Sequence, residues 1–283
     1  MNILLALLPA LCWGLFPILV SKIGGRPANQ IWGIGIGSTF VGIIVLLLTH
    51  VHIPLRIFIL SLLSGIFWST GQVGQFVSYK NIGVSQTMPI STGFQLLGNS
   101  IIGVIAFGEW PGLKTKIFGF LTLILIIIGV SLTAITDKGS KYKVKLKNIF
   151  FLLLTTIGYW IYSSFPKTIN ADAQTIYFPQ MLGILSGAIL YLFCTQQIKE
   201  VREKISWLDA AGGMLFGAGA LAYIFSAKLN GVTSAFIFSQ LSVVISTLGG
   251  MYLLHEDKTG RELKYTYAGL ILITVGSIIT GLI

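Results

Sequence analysis

The sequence predicts an all-α polytopic membrane protein, with ten transmembrane helices arranged as two inverted five-helix repeats. Three observations lead there. The 283 residues have a mean hydropathy of +0.85 and only 10% of them are charged. The apolar residues gather into ten runs, each near the roughly 20 residues that a helix needs to cross a hydrocarbon core about 30 Å thick. The second half also restates the first at a nearly constant offset. The runs are continuous and do not alternate with period two, which excludes a transmembrane β-barrel.

In order, the first run, 3–21, follows a start with no cation, Met1-Asn2, and carries Trp13. Such a start argues against a signal peptide. The second, 31–49, holds Gly33 and Gly37, a small-xxx-small pair suited to close helix packing. The third, 55–76, carries Trp68, Gln72 and Gln75, with Tyr79 beyond it. A Trp one turn from a Gln suits a sugar, since the ring covers a C–H face while the amide bonds hydroxyls. Tyr79 is expected at the membrane interface.

The fourth run, 84–107, spaces Met88, Thr92, Gln95 and Asn99 by 4, 3 and 4, which places them on one face. Two carboxamides there supply donors and acceptors without charge. Either cargo binding or helix-to-helix bonding would use them. Pro89 and Gly93 predict a local kink. The fifth run, 117–135, closes the first half. The sixth, 148–165, crowds Tyr159, Trp160, Tyr162, Ser163 and Ser164 together. The seventh, 175–194, holds the small-xxx-small pair Gly183 and Gly187. The eighth, 207–227, opens with Asp209 and carries Tyr223 and Ser226. The ninth, 232–254, carries Ser239, Gln240, Ser242 and Ser246, and the tenth is 265–283.

At an offset of 147, Glu109 falls on Glu256, Gly129 on Gly276, Thr133 on Thr280 and Trp13 on Trp160. At 148, Lys80 meets Lys228, Ser91 meets Ser239, and Gly83-Val84-Ser85 meets Gly231-Val232-Thr233. The expected organisation is a first repeat at 1–136, a basic linker at 137–147 and a second repeat at 148–283. An odd number of helices per copy makes the second enter from the opposite side. Carriers built this way bind cargo near the midplane, between the repeats.

Fourteen of the 19 Lys and Arg lie in alternate connections: Lys22, Arg26, Lys80, Lys138, Lys141, Lys143, Lys145, Lys147, Lys199, Arg202, Lys204, Lys258, Arg261 and Lys264. Arg56, Lys114, Lys116, Lys167 and Lys228 occupy the others. Positive residues stay cytoplasmic, so both termini are expected outside. Cations confined to short loops also argue against a nucleic-acid partner.

The 9 acidic residues avoid the interiors of the runs. An ionisable group there is by default functional, so the chemistry is expected in neutral residues, which favours an uncharged, hydroxyl-rich cargo. Glu109, Glu256 and Asp209 mark helix ends. They read as solvated charges, or alternatively as gating or proton-handling groups. Gly33-x-Gly35-x-Gly37 has no strand before it and is no dinucleotide loop. His50-x-His52 lacks Cys or acidic companions, and His255-Glu256 lacks a second His. No metal, cofactor or enzymatic activity is expected. Cys12 and Cys194 read as packing residues.

The stretches PALCWG at 9–14, GQVGQ at 71–75 and GYWIYSSFPK at 158–167 resemble the glucose/ribose porter family of the drug/metabolite transporter superfamily, including the glucose uptake permeases of Gram-positive bacteria. The resemblance covers essentially the whole chain. It implies monosaccharide import across the bacterial plasma membrane with a proton as co-substrate, and pore positions at Trp13, Gln72, Gln75, Tyr159 and Trp160. The reading from the residues adds Trp68, Gln95, Asn99, Tyr223 and Gln240. An exporter of metabolites or drugs from the same superfamily is the alternative, and a non-transporting membrane subunit the third class. Homodimerisation stays open.

Overall fold

The structure is a computed structural model. It describes residues 2–282 apart from Lys138, Lys141 and Asn170, and excludes the side chains of Pro166, Lys167, Ile169, Val232, Thr233 and Ser234. Lys138, Lys141 and Lys167 of the charge asymmetry and Thr233 of the repeat therefore lie outside the described residues.

Among the described residues the secondary structure is helical throughout, without strands. In order come α1 (Ile3–Ile23), α2 (Pro27–Thr49), α3 (Leu55–Ile82), α4 (Val84–Ala106), α5 (Leu113–Thr133), α6 (Leu146–Ile169) and α7 (Ala173–Cys194). A 3-10 turn (Ile198–Arg202) leads to the short α8 (Lys204–Leu208), then α9 (Ala210–Asn230), α10 (Val232–Ser239), α11 (Leu241–Leu253) and α12 (Gly260–Leu282). Ten stretches are long and apolar enough to cross a membrane, two of them compound: α8 with α9, and α10 with α11.

Local chemistry sets the boundaries. Asn2 caps α1 by accepting from the Leu5 N–H at 3.2 Å, leaving one fewer orphan donor at the helix start. Pro27 presets the backbone at the first position of α2. Gly83, at φ 78° and ψ 164°, turns α3 into α4 in a single residue. Gly231, at φ 85° and ψ 151°, does the same between α9 and α10. A Cβ would oppose both conformations.

Two details differ from the sequence reading. The ninth segment is interrupted at Gln240, whereas α4 runs helical through Pro89. Several helices also extend past their apolar runs: α3 to Ile82, the eighth span back to Lys204 and α12 back to Gly260. Their polar residues, among them the buried Ser78, Ser206, Glu262 and Thr266, lower the hydropathy there, so hydropathy alone truncated them.

Polar side chains point inward. Ser61, Ser64, Ser69, Gln72, Gln75 and Ser78 of α3 are buried, while Leu47, Leu48, Phe118, Ile124 and Ile128 face outward. In α3 this orientation follows from α6 and α7 packing against it; α9 is packed in the same way by α1 and α2. Small residues allow the close crossings. A Cβ on Gly213 would lie 2.9 Å from the Cα of Gly37, and one on Gly65 would lie 2.9 Å from the Cα of Gly183. With no hydrophobic drive between helices in lipid, such approach is what binds them.

Candidate functional site

A chain of neutral hydrogen bonds joins α6, α3 and α4. Gly71 lets α6 approach, since a Cβ there would stand 2.7 Å from the Tyr159 ring. The Tyr159 hydroxyl then donates to Gln72 Oε1 at 2.8 Å. Gln72 Nε2 donates to Gln75 Oε1 at 3.3 Å, which also accepts from the Tyr79 hydroxyl at 2.9 Å. Gln75 Nε2 donates to Ser91 Oγ at 2.8 Å, where Gln95 Nε2 arrives at 3.3 Å. Gln72, Gln75, Tyr79 and Tyr159 are buried. Tyr79 is thus no interfacial anchor, because its hydroxyl is enclosed by Gln75 and by Met88 Sδ at 3.2 Å.

An aromatic arc flanks this chain. The Trp68 ring meets Tyr159 edge-on, centroids 5.9 Å apart, and lies 4.5 Å from Phe216. Trp13 stacks on Phe216 at 6.5 Å and on Tyr223 at 5.7 Å, and its Nε1 donates to the Phe216 carbonyl at 3.3 Å. Trp13, Trp68, Gln72, Gln75, Gln95, Tyr159 and Tyr223 therefore form one connected region drawn from both halves of the chain.

Other sequence candidates fall elsewhere. Trp160 donates to the Phe94 carbonyl at 2.9 Å and lines an apolar cavity of about 310 Å³ with Ile102, Phe107 and Phe165. Gln240 donates to its neighbour, Ser239 Oγ, at 3.5 Å, and stands apart from the Gln72–Gln75–Ser91 chain. Asn99 is half-buried, and among the described residues its carbonyl oxygen has no partner. Glu109 is exposed.

The acidic residues correct the sequence reading most. Glu256, read as a solvated helix-end charge, is buried. Its two oxygens accept the N–H groups of Val84 and Ser85, both at 2.7 Å. A carboxylate at a helix N-terminus meets orphan donors and the positive end of the dipole. Glu262, inside the tenth span, accepts from Gln86 Nε2 at 3.0 Å and from Ser140. Lys258 lies 3.9 Å from Glu262 and donates to Thr266 Oγ1 at 3.0 Å. Burial pushes its ammonium down to about 8, against the opposing pull of Glu262 and Glu256.

A second cluster, with Asn29, Glu200 and Ser206 buried, joins the exposed Arg26, which pairs with Glu200 at 2.7 Å, to Asn29, which donates to Glu203 at 2.8 Å and to Ser206 at 2.9 Å. Asp209, inside the eighth span, is fully buried. These acids stand at or near the ends of the apolar runs yet lie in the interior, because other elements pack over Asp209, Glu256 and Glu262.

Sequence reasoning missed Tyr79, Ser91 and Phe216 as members of the site. The four-residue spacing from Ser91 to Gln95 was available as a signal; Phe216 carried none.

A family model described as sugar transport protein matches residues 4–283. A protein of Lactobacillus helveticus named for sugar uptake is 53% identical over 280 residues, covering 99% of this chain and all of that protein. One from Staphylococcus epidermidis named for ribose uptake is 41% identical over 284 residues, covering 98% and 97%. A solved crystal structure covers 99% of this chain and 96% of its own, with a TM-score of 0.60 at 14% identity, and speaks to the fold alone.

Proposed function

Because the chain belongs to the sugar transport protein family, a family of transporters and not of enzymes, we propose that it imports a monosaccharide, glucose first, by proton symport with alternating access. It is a multi-pass plasma-membrane protein. The observation that carries the substrate class is the Tyr159–Gln72–Gln75–Ser91–Gln95 chain beside Trp68, buried but for its half-buried end at Gln95. Its members both donate and accept without charge, matching a ring of hydroxyls. The Trp68, Phe216 and Trp13 faces match the C–H surface of a sugar. No cation is favoured by such a lining. Ribose is the competing cargo, given the relatives named for its uptake.

The two repeats, 1–136 and 148–283 around the 137–147 linker, supply the alternating element in this reading. The matched turns at Gly83 and Gly231, with nearly equal φ and ψ, support it. So does the helix pairing, in which α3 with α6 and α7 mirrors α9 with α1 and α2.

Purified protein in liposomes with an imposed pH gradient, inside alkaline, is expected to accumulate labelled glucose and to exchange it without the gradient. Preference for labelled ribose would move the specificity while keeping the mechanism. Movement of neither sugar would remove this reading and revive an exporter of the same superfamily.

Orientation has its own test. The connections richest in Lys and Arg share one end of the bundle, here called the basic end, which is proposed to be cytoplasmic with both termini outside. Ser140→Cys is expected to resist an impermeant thiol reagent added to intact cells, while a C-terminal tag is reached by antibody. Labelling at 140 from outside would invert the assignment.

A further inference from the structure

We infer that Asp209 is the proton-binding carboxyl of the transport cycle, an assignment that rests on the transport reading above. Asp209 stands at the joint between α8 and α9, inside the eighth span, fully buried, and among the described residues neither carboxyl oxygen has a hydrogen-bond partner. The other buried carboxylates described above are engaged: Glu256 by two backbone N–H groups, Glu262 by Gln86 and Ser140, Glu200 by Arg26. A bare anion enclosed without a partner is costly. The neutral acid carries no charge, so the geometry fits Asp209 with a proton on it.

Packing does not require an acid here. The Cβ of Asp209 lies against Gly33 where α9 crosses α2. The corresponding crossing of α3 with α7, at Gly65 and Gly183, is made without one. There the residues 147 and 148 positions earlier are Leu62 and Ser61.

The charged groups of the surrounding elements are committed to each other or to water. At the start of α2, Arg26 pairs with Glu200 of the 3-10 turn and with Glu203. Lys22 of α1, Lys199 and Arg202 of the turn, and Lys204 of α8 are exposed. Among the described residues no group of His, Cys, Asp and Glu could hold a metal ion.

The cover over Asp209 is separable. Helix α8 has five residues, and Asn29 ties it to α2 through Ser206. In this cycle the Asn29–Ser206 and Arg26–Glu200 bonds part, and the first turns of α2, at Gly33, separate from Asp209. The Gly213–Gly37 crossing, one turn further along α9, can stay closed. Once uncovered, the carboxyl O–H breaks, the proton passes to water at the basic end, and the carboxylate keeps the bonding pair. For net import the carboxyl is reloaded from the opposite face, in the state whose sugar site opens there.

Two measurements test the assignment. The infrared spectrum of the protein in bilayers near neutral pH is expected to show the C=O stretch of a protonated carboxylic acid that is missing in Asp209→Asn. No sugar is involved, so this readout stands apart from the transport reading. In liposomes holding a pH-sensitive dye, glucose or ribose added outside is expected to bring protons in with the wild type. Asp209→Asn should still exchange labelled sugar but lose at least tenfold of the proton movement. Asp209→Glu should restore part of it.

Undiminished proton movement in Asp209→Asn would overturn the assignment, as would a requirement for sodium in place of the pH gradient. If Asp209→Asn is inactive altogether, Asp209→Glu decides: proton movement in it supports the carboxyl, and none in a well-folded Glu variant overturns it. If the wild type moves neither sugar, the transport reading fails, and the infrared band alone supports or overturns a proton-binding Asp209.

Discussion

Gln72→Leu is expected to raise the apparent KM for the transported sugar by roughly five- to a hundredfold, with normal amounts of protein in the membrane. Gln72 is the middle link of the neutral chain, accepting from Tyr159 and donating to Gln75. Leucine keeps the volume but leaves the Tyr159 hydroxyl, Gln75, or a sugar hydroxyl without a partner in a site closed to water. An unmet polar group of that kind costs about 1–3 kcal/mol, which sets the range of the shift. Gln95→Leu should have a smaller effect, since Gln95 is half-buried and holds the chain only by a 3.3 Å bond to Ser91. Radiolabelled uptake at graded sugar concentrations reads both. Unchanged transport in both variants would return the two amides to a packing role.

Glu256→Ala is expected to loosen the basic end of the bundle. One buried carboxylate there holds the first two N–H groups of α4, joining residues from opposite halves of the chain at 2.7 Å each. Hydrogen bonds to a charged group contribute about 1.5–3 kcal/mol apiece, so losing both removes roughly 3 kcal/mol or more from the state shown. Gly83→Ala should act in the same direction by a different route. Its Cβ would sit 2.8 Å from the Glu256 carboxyl carbon, at a φ of 78° that disfavours any side chain. A cysteine at Ser85 should react with an impermeant thiol reagent from the basic end at least tenfold faster in either variant. Equal reactivity and an unchanged Tm would reduce the Glu256 contact to incidental packing.

The two acids singled out at the basic end show why charge is harder to read from sequence than hydropathy. Both stand where an apolar run starts or stops, a position that reads as solvated. Whether such a residue meets water depends on what lies over it. For Glu256 that is the start of α4, some 170 residues earlier in the chain. For Asp209 it is Gly33 of α2. Tyr79 makes the same point in reverse: a tyrosine at the end of an apolar run suits the interface, yet α3 continues to Ile82 and the ring ends inside.

The stripe on α4 divides in the same way. Periodicity alone put Met88, Thr92, Gln95 and Asn99 on one face; Met88 meets Tyr79 of α3 directly, and Gln95 is linked to α3 by way of Ser91 on its own helix, which accepts from Gln75. Asn99 lies one turn too far to join, which spacing cannot reveal.

By itself the sequence determined the helical class, the ten spans and the family, because these follow from the length and composition of apolar runs and from motifs of adjacent residues. It also determined the chemical character of the interior, since carboxamides, phenols and hydroxyls set within apolar helices gain from pairing with one another wherever they are placed. Only the tertiary structure decided which of them meet. The Tyr159–Gln72 bond spans 87 residues and depends on Gly71 admitting an aromatic ring. The fate of each carboxylate was decided there too. Burial and pairing are properties of surfaces brought together by folding, and a charge's cost or use is set by its neighbours in space, not by those in the chain.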